Sequence, residues 1–169
     1  MMSTVLLLLE DFEVWTVGRS PSSDSKAQLA QACGATYVSS AETPTADLAA
    51  EIGGFDVVME ATGDAQVMLS TLALLGRNGV ACLLGLDGRA RDVSLDGRVI
   101  GVDSILQNRA LVGSVNAHRD DWLRAVEQLD RARERWPEAL DAFVGLRVPL
   151  DRFTEAFDFR GVKATLALG

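Results

Sequence analysis

Four short polar turns in this chain have the residue types to meet a phosphate, a sugar or an amide: Gly18-Arg19-Ser20, Ala61-Thr62-Gly63, Leu84-Gly85-Leu86 and Ser114-Val115-Asn116. Each closes a run of apolar, strand-forming residues. In an open parallel sheet, ligands bind beyond the carboxyl ends of the strands. Arg19 is the sharpest of these residues. A carboxylate at the end of the second strand of a dinucleotide fold accepts a ribose 2′-hydroxyl, whereas an arginine suits the 2′-phosphate of NADP. Ser20, Ser22 and Ser23 offer neutral donors beside it. The competing reading of Arg19 is a solvated surface side chain.

The other turns carry a similar choice. Thr62 offers a hydroxyl, and Gly63 lets a ligand approach the backbone closely. The same Thr-Gly pair also suits a plain strand-to-helix connection. Asn116 either caps the following helix or reaches toward the nicotinamide ribose or the substrate. His118 is the only histidine and reads as a surface residue near a helix start. Glu60 is a carboxylate inside an otherwise apolar strand, read as facing the sheet edge. No nucleophile–histidine–acid order can be assembled, so no catalytic residue is assigned.

The elements that must position these turns follow from periodicity and punctuation. Strands are predicted at 13–19, 35–38, 55–60, 80–86 and 110–114. Helices are predicted from Asp24 to Cys33, Thr45 to Ile52, Asp64 to Leu75, Val99 to Gln107 and Arg119 to Trp136. The segment 87–98 reads as a polar loop with room for one short strand. Strands alternating with helices imply a parallel sheet with right-handed crossovers. Residues 143–150, 151–157 and 162–168 then read as a strand-helix-strand tail. The expected domains are 1–140, dinucleotide-binding, and 141–169, the tail.

One part of a dinucleotide fold is absent. No G-x-G-x-x-G precedes the first predicted strand; Val5 to Leu9 leads into it instead. The expected fold is therefore α/β, an incomplete Rossmann-type doubly wound parallel sheet without its first strand and glycine-rich loop. Val5 to Leu9 either replaces that strand or ends a helix, in which case the sheet is split or shared with another chain.

Composition narrows the partners. With a net charge of −8, the surface repels phosphate backbones, so nucleic acid is not an expected partner. The longest apolar run, Val5 to Leu9, is far too short to span a membrane. Cys33 and Cys82 are isolated, which fits a cytoplasmic setting.

The stretches FEVWTVGRSP, CGATYVSSAETP, FDVVMEATG, NGVACLLGL, NRALVGSVNAH and VPLDRFTEAFDFRGVKATLAL resemble the C-terminal half of archaeal-type glucose 1-dehydrogenases. These are NAD(P)-dependent members of the zinc-containing medium-chain dehydrogenase superfamily. The resemblance implies Arg19 and Ser20 near the adenosine 2′-phosphate. It implies Thr62 and Gly63, Leu84-Gly85-Leu86 and Ser114-Val115-Asn116 along the NADP or NAD cofactor, with Asn116 also near the sugar. It implies a tail that returns to a catalytic domain, a small sugar as substrate, a homo-oligomer, and zinc held only in the absent catalytic domain. On that basis the isolated chain is expected to lack dehydrogenase activity. The alternative is a non-catalytic Rossmann remnant that serves binding or assembly.

Overall fold

Polar caps, glycines and apolar spacing set the element boundaries in the computed structural model, which describes residues 1–89 and 91–168. Ala90, in the loop predicted over 87–98, and Gly169, at the end of the tail, lie outside the described residues. In chain order the elements are α1 (Met2–Leu9), β1 (Trp15–Gly18), α2 (Ser25–Ala32), β2 (Thr36–Ser39), α3 (Thr45–Ile52), β3 (Phe55–Glu60), α4 (Ala65–Leu74) and β4 (Leu75–Leu83). A π-helical turn (Val99–Ser104), β5 (Ala110–Gly113), α5 (Arg119–Arg135), α6 (Pro137–Phe143), β6 (Val144–Pro149), α7 (Phe153–Asp158) and β7 (Lys163–Ala167) follow. No helix among the described residues is long and apolar enough to cross a membrane.

Every strand pair is parallel, as the strand–helix alternation requires. Among the described residues the strands form three sheets: β1–β2, β3–β4–β5 and β6–β7. The contacts divide the chain into two units, Met1–Glu42 with Ala117–Gly169, and Thr43–Asn116.

In the first unit Val5 to Leu9 belongs to a helix, not a replacement strand. Val5, Leu8 and Leu9 are buried in a cluster with Leu29, Ala30, Cys33, Ala132 and Ala139. The last carbonyls of α1 lack regular helical partners, as at any helix end; Asp11 N reaches back to Leu8 O at 3.2 Å. Arg131 Nη2 donates to Leu9 O at 3.1 Å, and Arg135 Nη1 donates to Leu8 O at 3.1 Å. Cations at a helix C-terminus also oppose its dipole. Thus α5 caps α1 with its arginines and buries it with its apolar edge. The tail forms the predicted strand-helix-strand, with β6 and β7 paired directly. Helix α6 was not foreseen; Pro137 at its start suits a first helical turn, where the missing N–H costs no bond.

The second unit is a three-stranded sheet over a small core of Leu72, Leu75 and Ala81, packed by Val58, Leu95 and Val99. Asp64 caps α4 by accepting from Gln66 N at 3.0 Å and Val67 N at 3.2 Å. Strand β4 starts five residues before the predicted Val80, immediately after α4, because buried Leu75 pairs with Phe55. The register then slips, and pairing resumes at Val57 with Val80. Gly54 and Gly76 permit this slip: a Cβ on Gly54 would meet Gly76 Cα at 2.6 Å. The predicted helix from Val99 forms, with a π-helical turn over Val99–Ser104 in which Ser104 Oγ donates to Val99 O at 2.6 Å.

Candidate functional site

Parallel register places three of the four candidate turns along one sheet edge. Glu60 lies beside Leu83, and Leu83 lies beside Gly113. The residues that follow these three therefore leave the sheet together: Thr62-Gly63, Leu84-Gly85-Leu86 and Ser114-Val115-Asn116. Main-chain bonds tie them down. Glu60 O accepts from Leu84 N at 2.8 Å and Gly85 N at 3.3 Å, and Leu83 O accepts from Ser114 N at 3.0 Å. Thr62, Leu84, Leu86, Ser114, Val115 and Asn116 are exposed on this rim.

Two glycines hold the rim tightly. Gly63 has φ +69°, and a Cβ there would sit 2.7 Å from Leu86 O. A Cβ on Gly85 would sit 2.7 Å from Gly63 Cα and 3.1 Å from Glu60 Oε2. The need for glycine at 63 therefore comes from the chain itself, before any ligand arrives.

Glu60 has a larger role than its sequence position indicated. Its side chain does not face an open edge; the residue is 3% exposed. Its Oε1 accepts from Thr62 N at 2.6 Å and from Thr62 Oγ1 at 2.5 Å. Its Oε2 is buried without a partner. The Thr62 hydroxyl oxygen in turn accepts from Asp64 N at 3.2 Å.

The start of α4, directly after this turn, is filled by the chain's own carboxylates. Asp87 Oδ2 accepts from Ala65 N at 2.9 Å, beside the Asp64 cap. Arg89 Nε donates to Asp87 Oδ1 at 2.8 Å, and Arg91 Nη2 lies 2.8 Å from Asp64 Oδ1. Hydrogen bonds from Arg89 and from the Ala65 and Arg89 amides hold the Asp87 carboxyl far below the usual carboxylate range. Asp64 is also lowered, chiefly by the Val67 amide, with Arg91 and Arg89 helping. The sequence read 87–98 only as a polar loop; its alternation of Asp and Arg was the signal for this cluster.

Asn116 is not the cap of α5. His118 takes that position: its Nδ1 accepts from Asp120 N at 3.4 Å, and Asp121 answers by accepting from His118 N at 2.8 Å. Asn116 is a left-handed residue instead, with φ +66°, and its exposed side chain is left for other uses.

Arg19 belongs to the first unit, after β1. Tyr37 lies across Gly18, where a Cβ would meet its hydroxyl at 2.5 Å, and Tyr37 Oη donates to Ser20 O at 2.8 Å. The turn around Arg19 is thus held from both sides. Arg19 itself is exposed, and no carboxylate among the described residues pairs with it. An exposed, unpaired guanidinium on a held turn fits an anionic group such as a phosphate. A cleft of about 360 Å³ in the same unit, between α2, α6 and the β6–β7 pair, is mostly apolar and lined by Leu29, Ala32, Ala139 and Phe159.

The family described as glucose dehydrogenase C-terminus matches residues 1–168. The chain belongs to this family. A glucose 1-dehydrogenase of Methanocella arvoryzae is 30% identical over 167 residues, covering 96% of this chain and 46% of that protein. Glucose 1-dehydrogenase 1 of Caldivirga maquilingensis is 35% identical over 159 residues, covering 94% and 44%. The chain therefore spans less than half the length of these relatives. Among solved structures, Haloferax mediterranei glucose dehydrogenase in complex with NADP, zinc and gluconolactone superposes with a TM-score of 0.84 at 28% identity, over 98% of this chain and 46% of that one. An alcohol dehydrogenase of Thermotoga maritima, 22% identical with a TM-score of 0.75 over 92% of this chain and 43% of that one, shares the fold. The Rossmann-type reading of the sheet and the family resemblance both hold.

Proposed function

We propose that this chain is the cofactor-binding portion of an NAD(P)-dependent sugar dehydrogenase, in which a C1 hydroxyl is oxidised by hydride transfer to the nicotinamide. The observation that carries this reading is the rim of Thr62, Leu84-Gly85-Leu86 and Ser114-Val115-Asn116 along one sheet edge, in a chain that matches the family throughout. Arg19 and Ser20 are the proposed hold on the adenosine 2′-phosphate. Asn116 is the proposed contact to the nicotinamide side and the sugar. Bound NADP would supply the hydride acceptor; this chain's residues bind and orient it.

The isolated 169 residues are proposed to bind NADP weakly and to have no dehydrogenase activity of their own. Residues 1–14, ahead of β1, contain no glycine-rich loop to present main-chain donors to the pyrophosphate. The direct test is a titration of the chain with NADP+ and NAD+, followed by amide shifts in two-dimensional NMR. Shifts at Arg19, Ser20 and the rim, saturating at lower NADP+ than NAD+, are expected. No response anywhere refutes cofactor binding.

A second reading, assembly without catalysis, draws on the face of α5. Trp122, Leu123, Val126 and Leu129 are all exposed along it, an apolar stripe of the kind that marks association. Sedimentation velocity separates the readings: a stable homo-oligomer with no nucleotide response favours the second.

A further inference from the structure

Resting on the cofactor reading above, we infer that Glu60 is a positioning residue that fixes the Thr62 hydroxyl as a hydrogen-bond acceptor. The rim at Thr62 then receives a donor group of the nucleotide, a ribose hydroxyl or carboxamide N–H, and not a phosphate oxygen.

The directionality comes from the bonds. A hydroxyl has one proton to donate and two lone pairs. The Thr62 proton goes to Glu60 Oε1 at 2.5 Å, and the same oxygen takes the Thr62 amide at 2.6 Å. One lone pair of the hydroxyl accepts from Asp64 N. What remains toward the exposed side is a lone pair, which attracts donors and repels phosphate oxygens.

The neighbouring groups agree independently. A helix start is an ordinary phosphate seat because its first amides are free. Here Ala65 N is taken by Asp87, and Gln66 N and Val67 N by Asp64. Arg89 and Arg91 are themselves taken by Asp64 and Asp87, so neither guanidinium is left unpaired for a phosphate. The other oxygen of Glu60, Oε2, is buried without a partner, and glycine at 85 leaves it room: a Cβ there would lie 3.1 Å away.

The test is amide-resolved NMR titration of the full chain and its variants with NADP+, adenosine 2′,5′-bisphosphate and inorganic pyrophosphate. In the parent chain, NADP+ should shift the Thr62 and Gly63 amides, and pyrophosphate at the same concentration should not. Glu60→Leu, which has no acceptor for the Thr62 hydroxyl, and Thr62→Val should each weaken NADP+ about fivefold to tenfold, the size of one lost hydrogen bond. Both should leave adenosine 2′,5′-bisphosphate within twofold. Thr62→Ser keeps the hydroxyl and should retain NADP+ within twofold. Because Glu60 acts through Thr62, the double variant should be no weaker than Thr62→Val alone. The free Glu60→Leu chain should also show its Thr62 amide proton moved upfield, as the short bond to the carboxylate is lost.

Pyrophosphate shifts at Thr62, or parent-like NADP+ binding by folded Glu60→Leu, overturn the inference. So does an additive double variant. If Glu60→Leu fails to fold, Thr62→Val and Thr62→Ser decide the case: equal NADP+ affinity in the two refutes it. A parent chain that gives no NADP+ response at all refutes the cofactor reading instead, which keeps the two failures apart.

Discussion

Replacing Gly63 with alanine tests whether the rim is held by close backbone contact or only by a favourable turn. Two separate costs are expected. The first is conformational: at φ +69° a Cβ crowds the following carbonyl, at about 1–2 kcal/mol. The second is steric: the new methyl would lie 2.7 Å from Leu86 O, and forcing excess volume into a packed place costs roughly 1–3 kcal/mol. Together Gly63→Ala should lose about 2–5 kcal/mol. Gly53→Ala isolates the first cost, because Gly53 has φ +83° and open space around it. It sits in the same unit, so it reports on the same unfolding event. Gly97→Ala, with no positive φ and nothing nearby, should be near neutral, within roughly 0.5 kcal/mol. Urea unfolding followed by circular dichroism measures all three. The expected order is Gly97→Ala, then Gly53→Ala, then Gly63→Ala, with the last step at least about 1 kcal/mol. Equal losses for Gly53→Ala and Gly63→Ala would show that no backbone presses on the Thr62 turn, and the rim geometry would be wrong.

Other expectations can be checked alongside. Arg19→Ala removes the unpaired guanidinium; losing charge-assisted bonds worth about 1.5–3 kcal/mol should weaken NADP+ roughly 10- to 100-fold and hardly change NAD+, so equal losses would remove Arg19 from the phosphate. Asp87 is held far below its ordinary range, mainly by Arg89, so its stabilisation is present above the unfolded pKa of about 4 and fades as pH falls below it. Urea midpoints of the parent chain and Asp87→Asn should therefore converge from pH 5 toward pH 2.5, whereas parallel curves would refute the linkage. Leu75→Ala empties a site only 1% exposed at the register slip of β4, and should cost about 2–5 kcal/mol; a loss under about 1 kcal/mol would mean that Leu75 is not the anchor of that slip.

Much of this protein was legible in the order of its residues, because the signals involved are local. Asp24 and Asp64 announce helix starts, Gly53 a helix stop, and the apolar run from Phe55 a strand covered on both sides; each acts within a few residues of itself. The four polar turns could be named because parallel strands that alternate with helices send their carboxyl ends one way. The strand-helix-strand tail could be read for the same reason. What only the tertiary structure decided lies at longer range. Val5 to Leu9 is equally apolar as helix or strand; the arginines of α5, more than a hundred residues away, cap it as a helix. The early start of β4 depends on two glycines, Gly54 and Gly76, meeting across the sheet, which no periodicity reports. Glu60 looks like an edge carboxylate until the fold buries it beneath Thr62. Asp87, Arg89 and Arg91 look like a solvated loop until they close over the start of α4. Local preference chooses the elements, but which polar atom finds which partner is settled only when distant segments pack and exclude water.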